Sequence, residues 1–179
     1  NYKTQYYLTV NSPYDTPGVG GWYDKDTYAY ATLQTGIVSG GTGTRYVFTD
    51  WSGDANGTGL TSNPILMNGP KTATANWMTQ YYLTVNTYPL GLDAPSGEGW
   101  HDSGTNAPIS VFTVSGYTFQ YWYLDGQQGT PHSTSLITTV AMNAPHTATA
   151  YYKLPSTISL TCTPASIEYG ETTTISGSI

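Results

Sequence analysis

The residues best suited to chemistry are oxygen-bearing side chains in a glycine-rich stretch that follows Trp51. Asp54, Asn56 and Thr58 alternate there before Gly59. Oxygen ligands at every second position can wrap a hard cation, so this spacing is typical of the first half of a calcium loop. The distal glutamate that completes such a loop is missing, and an ordinary Asx-rich turn explains the same residues. The sequence therefore leaves two alternatives, a Ca²⁺ site and a turn.

Asn56 is also a candidate glycosylation site, because it begins the sequon Asn56-Gly57-Thr58. Sequons accept N-glycans when they lie on exposed loops of exported proteins, and the surrounding glycines indicate such a loop. A chance occurrence of the triplet is the alternative.

Catalytic arrangements are missing from the sequence. His101, His132 and His146 have no partner at metal-ligand spacing, and none recurs in the other half of the chain, so we expect exposed structural histidines. A nucleophile elbow, a phosphate-binding loop and an HExxH helix are also missing. We therefore predict that the chain is not an enzyme and, Ca²⁺ apart, needs no cofactor.

The composition indicates a β-protein with an uncharged polar surface. Charged residues make up 9% of the chain, against about 25% in ordinary globular proteins, and 5 Lys+Arg face 11 Asp+Glu. Without basic clusters, neither nucleic acid nor an anionic membrane is an expected partner. A single cysteine, Cys162, excludes an internal disulfide. The start at Asn1, with no signal-peptide pattern, favours a mature or internal fragment of a larger protein.

An internal repeat organises the chain. The heptapeptide QYYLTVN begins at Gln5 and again at Gln80, 75 residues later, and Met67–Ala75 matches Met142–Ala150 in the same register. The matched segments alternate as strands do: Tyr6, Leu8 and Val10 share one face. We predict two tandem β-rich repeats, which we call repeat 1 (residues 1–78) and repeat 2 (residues 79–153).

Aromatic residues recur at equivalent positions of both repeats. The pairs Trp22/Trp100 and Trp51/Trp122 are offset by 78 and 71 residues, so the length differences fall in the Gly- and Ser-rich loops between them. Recurrence favours core packing, because each repeat must build its own interior. A carbohydrate-stacking platform is the alternative. The outward-facing tyrosines are better placed for contact with another surface: Tyr7, Tyr82 and Tyr151.

Two motifs of repeat 2 carry a family resemblance. The run Gly116–Trp122, with the closing strand Thr147–Tyr152, resembles the internalin B-repeat family, particularly its divergent branch. In repeat 1 the corresponding segments are Thr44–Asp54 and Lys71–Trp77. The resemblance implies small β-grasp-like or mainly β modules in bacterial and archaeal surface proteins, acting as spacers or adhesive stalk units, and it implies no catalytic residue.

The pattern changes after Lys153. Residues 154–179 alternate around Ile158–Cys162 and again from Thr173 to Ile179, which resembles the first two strands of an immunoglobulin-like sandwich. The predicted fold is therefore all-β: two small repeats followed by the start of an Ig-like domain. Because a complete sandwich needs about seven strands, the rest of the sheet must come from elsewhere.

Together these features predict a structural role outside the cell. We expect a non-catalytic spacer region of a secreted or cell-surface protein, such as a stalk, filament, sheath or surface layer. Its expected partners are neighbouring repeats or subunits of the same protein, in a homopolymer or surface array. The alternative is an adhesive or glycan-binding module of an adhesin or extracellular enzyme.

Overall fold

The computed structural model describes residues 2–18, 20–127, 129–155, 159–163 and 174–178. Within them every regular element is a β-strand, which confirms the all-β class. Thr and Tyr are the commonest residues of the long strands, since aromatic and β-branched side chains fit a pleated, half-buried surface. None of the described residues form a helix long and apolar enough to cross a membrane.

Repeat 1 contributes six strands and half of a seventh. The seven strands are β1 (Gln5–Asn11), β2 (Gly21–Asp24), β3 (Tyr28–Ala29), β4 (Ile37–Gly41), β5 (Thr44–Gly53), β6 (Ile65–Leu66) and β7 (Lys71–Tyr88). The remaining strands of repeat 2 are β8 (Gly99–Asp102), β9 (Asn106–Ser110), β10 (Thr118–Leu124), β11 (Ile137–Ala141) and β12 (His146–Lys153). β3 pairs with β6 and β9 with β11 in two small sheets.

The main sheet is built around β7, an 18-residue strand that closes repeat 1 and opens repeat 2. Along one edge, β5 pairs with Ala73–Tyr81 and β12 pairs with Leu83–Tyr88. Along the other edge, β1 pairs with Lys71–Thr74 and β8 with Gln80–Leu83. Each edge of β7 therefore carries one strand from each repeat. Met78 and Thr79, which flank the predicted boundary between the repeats, lie inside a continuous strand.

Each repeat encloses its own core on one face of this sheet. Ala73 and Ala75 are buried in repeat 1, and Leu83 and Val85 are buried in repeat 2. The equivalent anchors of the two cores are Leu8 and Leu83, Trp51 and Trp122, and Met67 and Met142, all no more than 2% exposed. The inward face predicted for β1 is confirmed, since Tyr6 and Val10 pack against the core that buries Leu8.

The end of the chain forms a separate two-stranded pair. β13 (Ser159–Thr163) and β14 (Thr174–Ser178) are antiparallel, with Leu160 opposite Gly177. Both strands were expected within a residue or two of these bounds. Ile158, Thr173 and Ile179, which the sequence analysis placed in these strands, lie outside the described residues, and the Ig-like assignment stays a prediction.

Candidate functional site

Asp54, the carboxylate of the candidate calcium loop, is engaged with the start of the closing strand. Its Oδ2 accepts a hydrogen bond from the Thr72 N–H at 2.8 Å, and its Oδ1 accepts from Lys71 Nζ at 3.2 Å. These bonds, the one from Thr72 above all, hold the pKa of Asp54 below its ordinary value. The carboxylate ties the loop after β5 to the first residues of β7.

The other two candidate ligands have different surroundings. Asn56 accepts from Asn63 Nδ2 at 2.6 Å through its side-chain oxygen, and its carbonyl accepts from the Asn63 N–H at 2.9 Å. Thr58 is exposed. In the part of the chain that the structure describes, no three His, Cys, Asp or Glu residues gather in a metal-binding group. Calcium binding and glycosylation of Asn56 stay predictions.

Repeat 2 has the equivalent contact, with a histidine in place of the lysine. We call this link between an aspartate and the start of the closing strand the aspartate brace. Asp125 accepts from the Thr147 N–H at 2.8 Å and contacts His146 Nδ1 at 2.7 Å. The other ring nitrogen of His146 lies 2.8 Å from Asn143 Oδ1. His146 stands where repeat 1 has Lys71. Its side chain is only 12% exposed, so the expectation of an exposed histidine is wrong for it.

The remaining histidines contact backbone carbonyls. His101 Nε2 lies 2.9 Å from the Gly97 carbonyl oxygen, and His132 Nε2 lies 2.8 Å from that of Thr139. Each contact joins two neighbouring segments. His132 is exposed, as expected, whereas His101 is half-buried, so the expectation of an exposed histidine is wrong for His101 as well.

The tryptophans divide into buried and surface rings. Trp51 and Trp122 are buried, and their indole N–H groups donate to the carbonyls of Gly59 and Ser135 at 3.0 and 3.1 Å. Core packing is therefore right for this pair. It is wrong for Trp22, which is 66% exposed, because the alternation of β2 turns Tyr23 toward the core instead.

Trp22 and Trp100 each form an edge-on pair with a tyrosine. Tyr7 and Trp22 have ring centroids 5.3 Å apart at 71°, and Tyr82 and Trp100 have centroids 5.3 Å apart at 75°. The two pairs differ in what covers them. The Arg45 guanidinium lies over the Trp100 ring, 4.4 Å from its centroid, within the range of a cation–π contact.

Arg45 belongs to the β4–β5 hairpin of repeat 1 but contacts repeat 2. Its Nε donates to Gln80 Oε1 at 2.8 Å, and Gln80 Nε2 donates to Asp102 at 2.7 Å. At the tip of the hairpin, the Gly43 carbonyl accepts from the Tyr82 N–H at 2.9 Å. A side chain at Gly43 would come within 2.7 Å of Pro145, and its φ of +66° favours glycine. The hairpin thus clasps the following repeat.

Four tyrosines form a continuous aromatic surface on repeat 2. Tyr151 stacks on Tyr88 at 4.8 Å and on Tyr121 at 5.3 Å, and Tyr123 packs edge-on against Tyr121 at 4.6 Å. We call this set the tyrosine platform. A hollow of about 350 Å³ lies against it, between Tyr88, Tyr123, Tyr151 and Gly126. The hydrogen bond shared with the Tyr123 hydroxyl at 3.1 Å, more than burial, raises the pKa of Tyr121 to about 12, so the Tyr121 hydroxyl stays neutral.

Repeat 1 has polar residues at the same sheet positions. Asp50, Ser52 and Asn76 stand where repeat 2 has Tyr121, Tyr123 and Tyr151, as the strand registers show. Asn76 Nδ2 donates to Asp50 at 3.1 Å, and the Ser52 hydroxyl donates to Asn76 at 3.2 Å. The tyrosine platform is therefore a property of repeat 2 and not of the fold.

Comparison with known proteins gives two matches to one family model. The divergent InlB B-repeat domain matches residues 16–80 and again residues 83–156, which together make up most of the chain. No curated protein and no solved structure matches it. This family consists of repeat domains of surface-type proteins, and the repeat domains are in general non-catalytic. The two matches follow one another as the internal repeat does, and the chain belongs to the divergent InlB B-repeat family, of which it carries two copies in tandem.

Proposed function

We propose that this chain is a non-catalytic structural spacer of a secreted or cell-surface protein, part of a stalk, filament, sheath or surface layer. The observation that carries the proposal is the continuity of β7, which supplies the last strand of one repeat and the first strand of the next. A hinge between repeats needs residues free of backbone pairing. Met78 and Thr79 are instead paired with Val47 and Tyr46 of β5.

The hairpin clasp supports the same role. Arg45 and Gly43 of repeat 1 contact Gln80, Trp100 and Tyr82 of repeat 2, so bending at the junction would break these contacts along with the β-ladder. Lateral contact with other copies, in a homopolymer or surface array, is the corresponding expectation for partners.

An insertion at the junction tests the spacer function. A Gly/Ser segment of about ten residues between Met78 and Thr79 would turn this point of β7 into a flexible linker. We expect small-angle scattering to show a larger radius of gyration and a broader distribution of shapes. The same segment inserted after Gly91, an exposed loop position, is the control of equal mass. If the junction insertion scatters like this control, the repeats are not held rigidly and the proposal is wrong.

A second candidate function, glycan binding, is favoured by the tyrosine platform. Flat rings bind the apolar C–H faces of sugar rings, and the hydroxyls of Tyr121 and Tyr123 can hydrogen-bond the sugar's own hydroxyl groups. A large aromatic surface confined to one repeat often marks a contact site. On this alternative, the chain is the adhesive module of an adhesin or extracellular enzyme.

Repeat 1 supplies the residues for a test of glycan binding. The triple substitution Tyr121→Asp, Tyr123→Ser and Tyr151→Asn replaces the platform with the polar set of repeat 1. We expect any glycan retained by the wild-type chain on an array to be lost by this variant and kept by Trp22→Phe. If the wild-type chain binds no glycan at millimolar concentration, the sugar alternative fails and the spacer function is unaffected.

A further inference from the structure

Repeat 2 has a surface that is covered by the repeat before it. Under the tip of the β4–β5 hairpin lies a groove of about 330 Å³ that Thr42 and Gly43 close from the side of repeat 1. The residues that repeat 2 contributes to this groove are Tyr82, Thr84, Trp100, Pro145, His146 and Thr147.

Repeat 1 has the same surface, and none of the residues that the structure describes forms a hairpin over it. The residues equivalent to that set are Tyr7, Thr9, Trp22, Pro70, Lys71 and Thr72. Its Tyr–Trp pair has the same 5.3 Å centroid distance as the pair in repeat 2. The hydrogen bond that holds Gln80 to Asp102 recurs between Gln5 and Asp24 at 2.9 Å. Yet Trp22 is 66% exposed, and Tyr7 is 39% exposed.

Tyr2 gives independent support from the closing strands. It precedes Gln5 by three residues, as Trp77 precedes Gln80, and the next equivalent position one period on is Tyr152. Trp77 packs against the core of repeat 1, and Tyr152 is buried in the core of repeat 2. Tyr2 is instead fully exposed. It is the aromatic residue with which the closing strand of another repeat would complete its core.

We propose that Tyr2, Tyr7 and Trp22 form the receiving surface for another divergent InlB B-repeat joined directly before Gln5 in the same polypeptide. The closing strand of that repeat continues into β1, as the two halves of β7 continue into each other. Its hairpin covers the Tyr7–Trp22 pair, with an arginine over the indole ring as Arg45 lies over Trp100. Covalent continuity places the hairpin, since β5 reaches repeat 2 by pairing along β7. The inference rests on the proposed spacer function for the use of such an array.

Duplication of one period tests this surface. Residues 1–75 are placed before Asn1 of the full chain, which puts Asn1 after Ala75 just where Asn76 follows it naturally. The leading copy carries Trp22→Phe, so that only the Trp22 at the new junction reports. Acrylamide quenching of tryptophan fluorescence is measured with and without a further Trp22→Phe substitution at that junction, and the difference is the signal of Trp22 alone. The same pair of measurements on the natural chain gives the reference for an exposed Trp22.

We expect the quenching that depends on Trp22 to be lost in the duplicated chain and to return when the leading copy also carries Arg45→Ala. Hydrogen exchange of the leading copy's Ala73–Ala75 segment reports whether that copy folds. If Trp22 is quenched as in the natural chain, the docking surface is wrong. If the leading copy fails to fold, the proposal is also wrong, because Tyr2 then does not take the place of Trp77 in the core of that copy. A protected Trp22 in a chain that bends freely in scattering would instead contradict the spacer function alone.

Discussion

At the scale of single residues, one aspartate in each repeat fastens a loop to the closing strand. Asp54 accepts hydrogen bonds from the Thr72 N–H and from Lys71. Asp125 accepts one from the Thr147 N–H and contacts His146. The Asp54 side chain is 39% exposed, so its ion pair is partly screened by water. The backbone N–H is the larger cause of its lowered pKa.

The lowered pKa of Asp54 predicts a loss of stability in acid. We expect Asp54→Asn to destabilise the chain by about 1 kcal/mol or less at neutral pH, the range for a partly exposed charge pair. Because folding lowers this pKa below 3.8, the carboxylate's contribution is present above that pH and is lost as pH falls through the folded pKa. Melting temperatures measured from pH 7 to pH 2 should converge for the two proteins in acid. A difference that stays constant would contradict the assignment.

Position 146 should accept lysine better than alanine. Lys71 holds the equivalent aspartate in repeat 1, so His146→Lys can keep a donor beside Asp125. His146→Ala leaves that carboxylate with the Thr147 N–H alone and should cost about 1–2 kcal/mol in the free energy of unfolding. Urea denaturation of both variants measures the difference. Equal losses would show that packing of the ring, not its bond to Asp125, is what matters.

Part of this brace could be predicted from the sequence. The sequence singled out Asp54 as a possible metal ligand. Its hydrogen-bond partners lie 17 and 18 residues away, and only the fold brings them close. A signal was present all the same: the pairs Asp54/Lys71 and Asp125/His146 occupy matching places in both repeats. Comparing acid–base pairs between repeats, rather than searching each loop for ligands, would have found it.

At the scale of elements, the strands were predicted from alternation, but their continuity was missed. Aligning the repeats suggested a boundary at residue 78, whereas β7 runs through it. The alternation itself carried the information, because Ala73, Ala75, Leu83 and Val85 are all odd-numbered and all buried. A turn between repeats would seldom preserve that phase. The hairpin's reach into repeat 2 had no comparable signal, since Arg45 and Trp100 are distant in sequence.

The continuity of β7 predicts that the two repeats unfold together. The Tyr82 N–H faces β5, where it meets the Gly43 carbonyl, so strand alternation aims the Met78 N–H at β5 too. Met78→Pro removes that donor and should cost at least ~2 kcal/mol. In scanning calorimetry we expect the single wild-type transition to separate into two. Met78→Ala shortens the same side chain but keeps the N–H, and it should leave one transition. Two transitions in the wild type would contradict the coupling.

At the scale of the whole molecule, the two repeats are similar in core and different at their surfaces. Repeat 1 has the β4–β5 hairpin, and repeat 2 has the tyrosine platform. The hairpin accounts for the change in offset from 78 residues at Trp22/Trp100 to 71 at Trp51/Trp122. The expectation that this difference lies in a Gly- and Ser-rich loop is therefore wrong, because Ile37–Gly41 is a strand paired with β5. The two repeats therefore share the residues that form their cores and differ in the residues on their surfaces.

The hairpin clasp should be measurable as an energy between repeats. A double-mutant cycle on Arg45→Ala and Trp100→Ala is expected to show a coupling of about 0.5–1 kcal/mol in the free energy of unfolding, as for a partly exposed cation–π pair. Arg45→Ala combined with Trp22→Ala is the control and should be additive, since Arg45 lies over Trp100 and Trp22 is 66% exposed among the described residues. Additivity in both cycles would mean that the clasp contributes shape but no stability.

The parallel pairing of entering and leaving strands bears on how the chain responds to pulling. β1 runs parallel to β7, and β7 runs parallel to β12. Tension on the two ends of a repeat drags such neighbours past each other lengthwise, so their backbone bonds carry the load together instead of opening one by one. The β1–β7 register spans Leu8–Asn11, and the β7–β12 register spans the longer segment His146–Tyr151. Rupture under a steady stretching force depends on the unfolding rate rather than on equilibrium stability. We therefore expect repeat 1 to unfold under load before repeat 2.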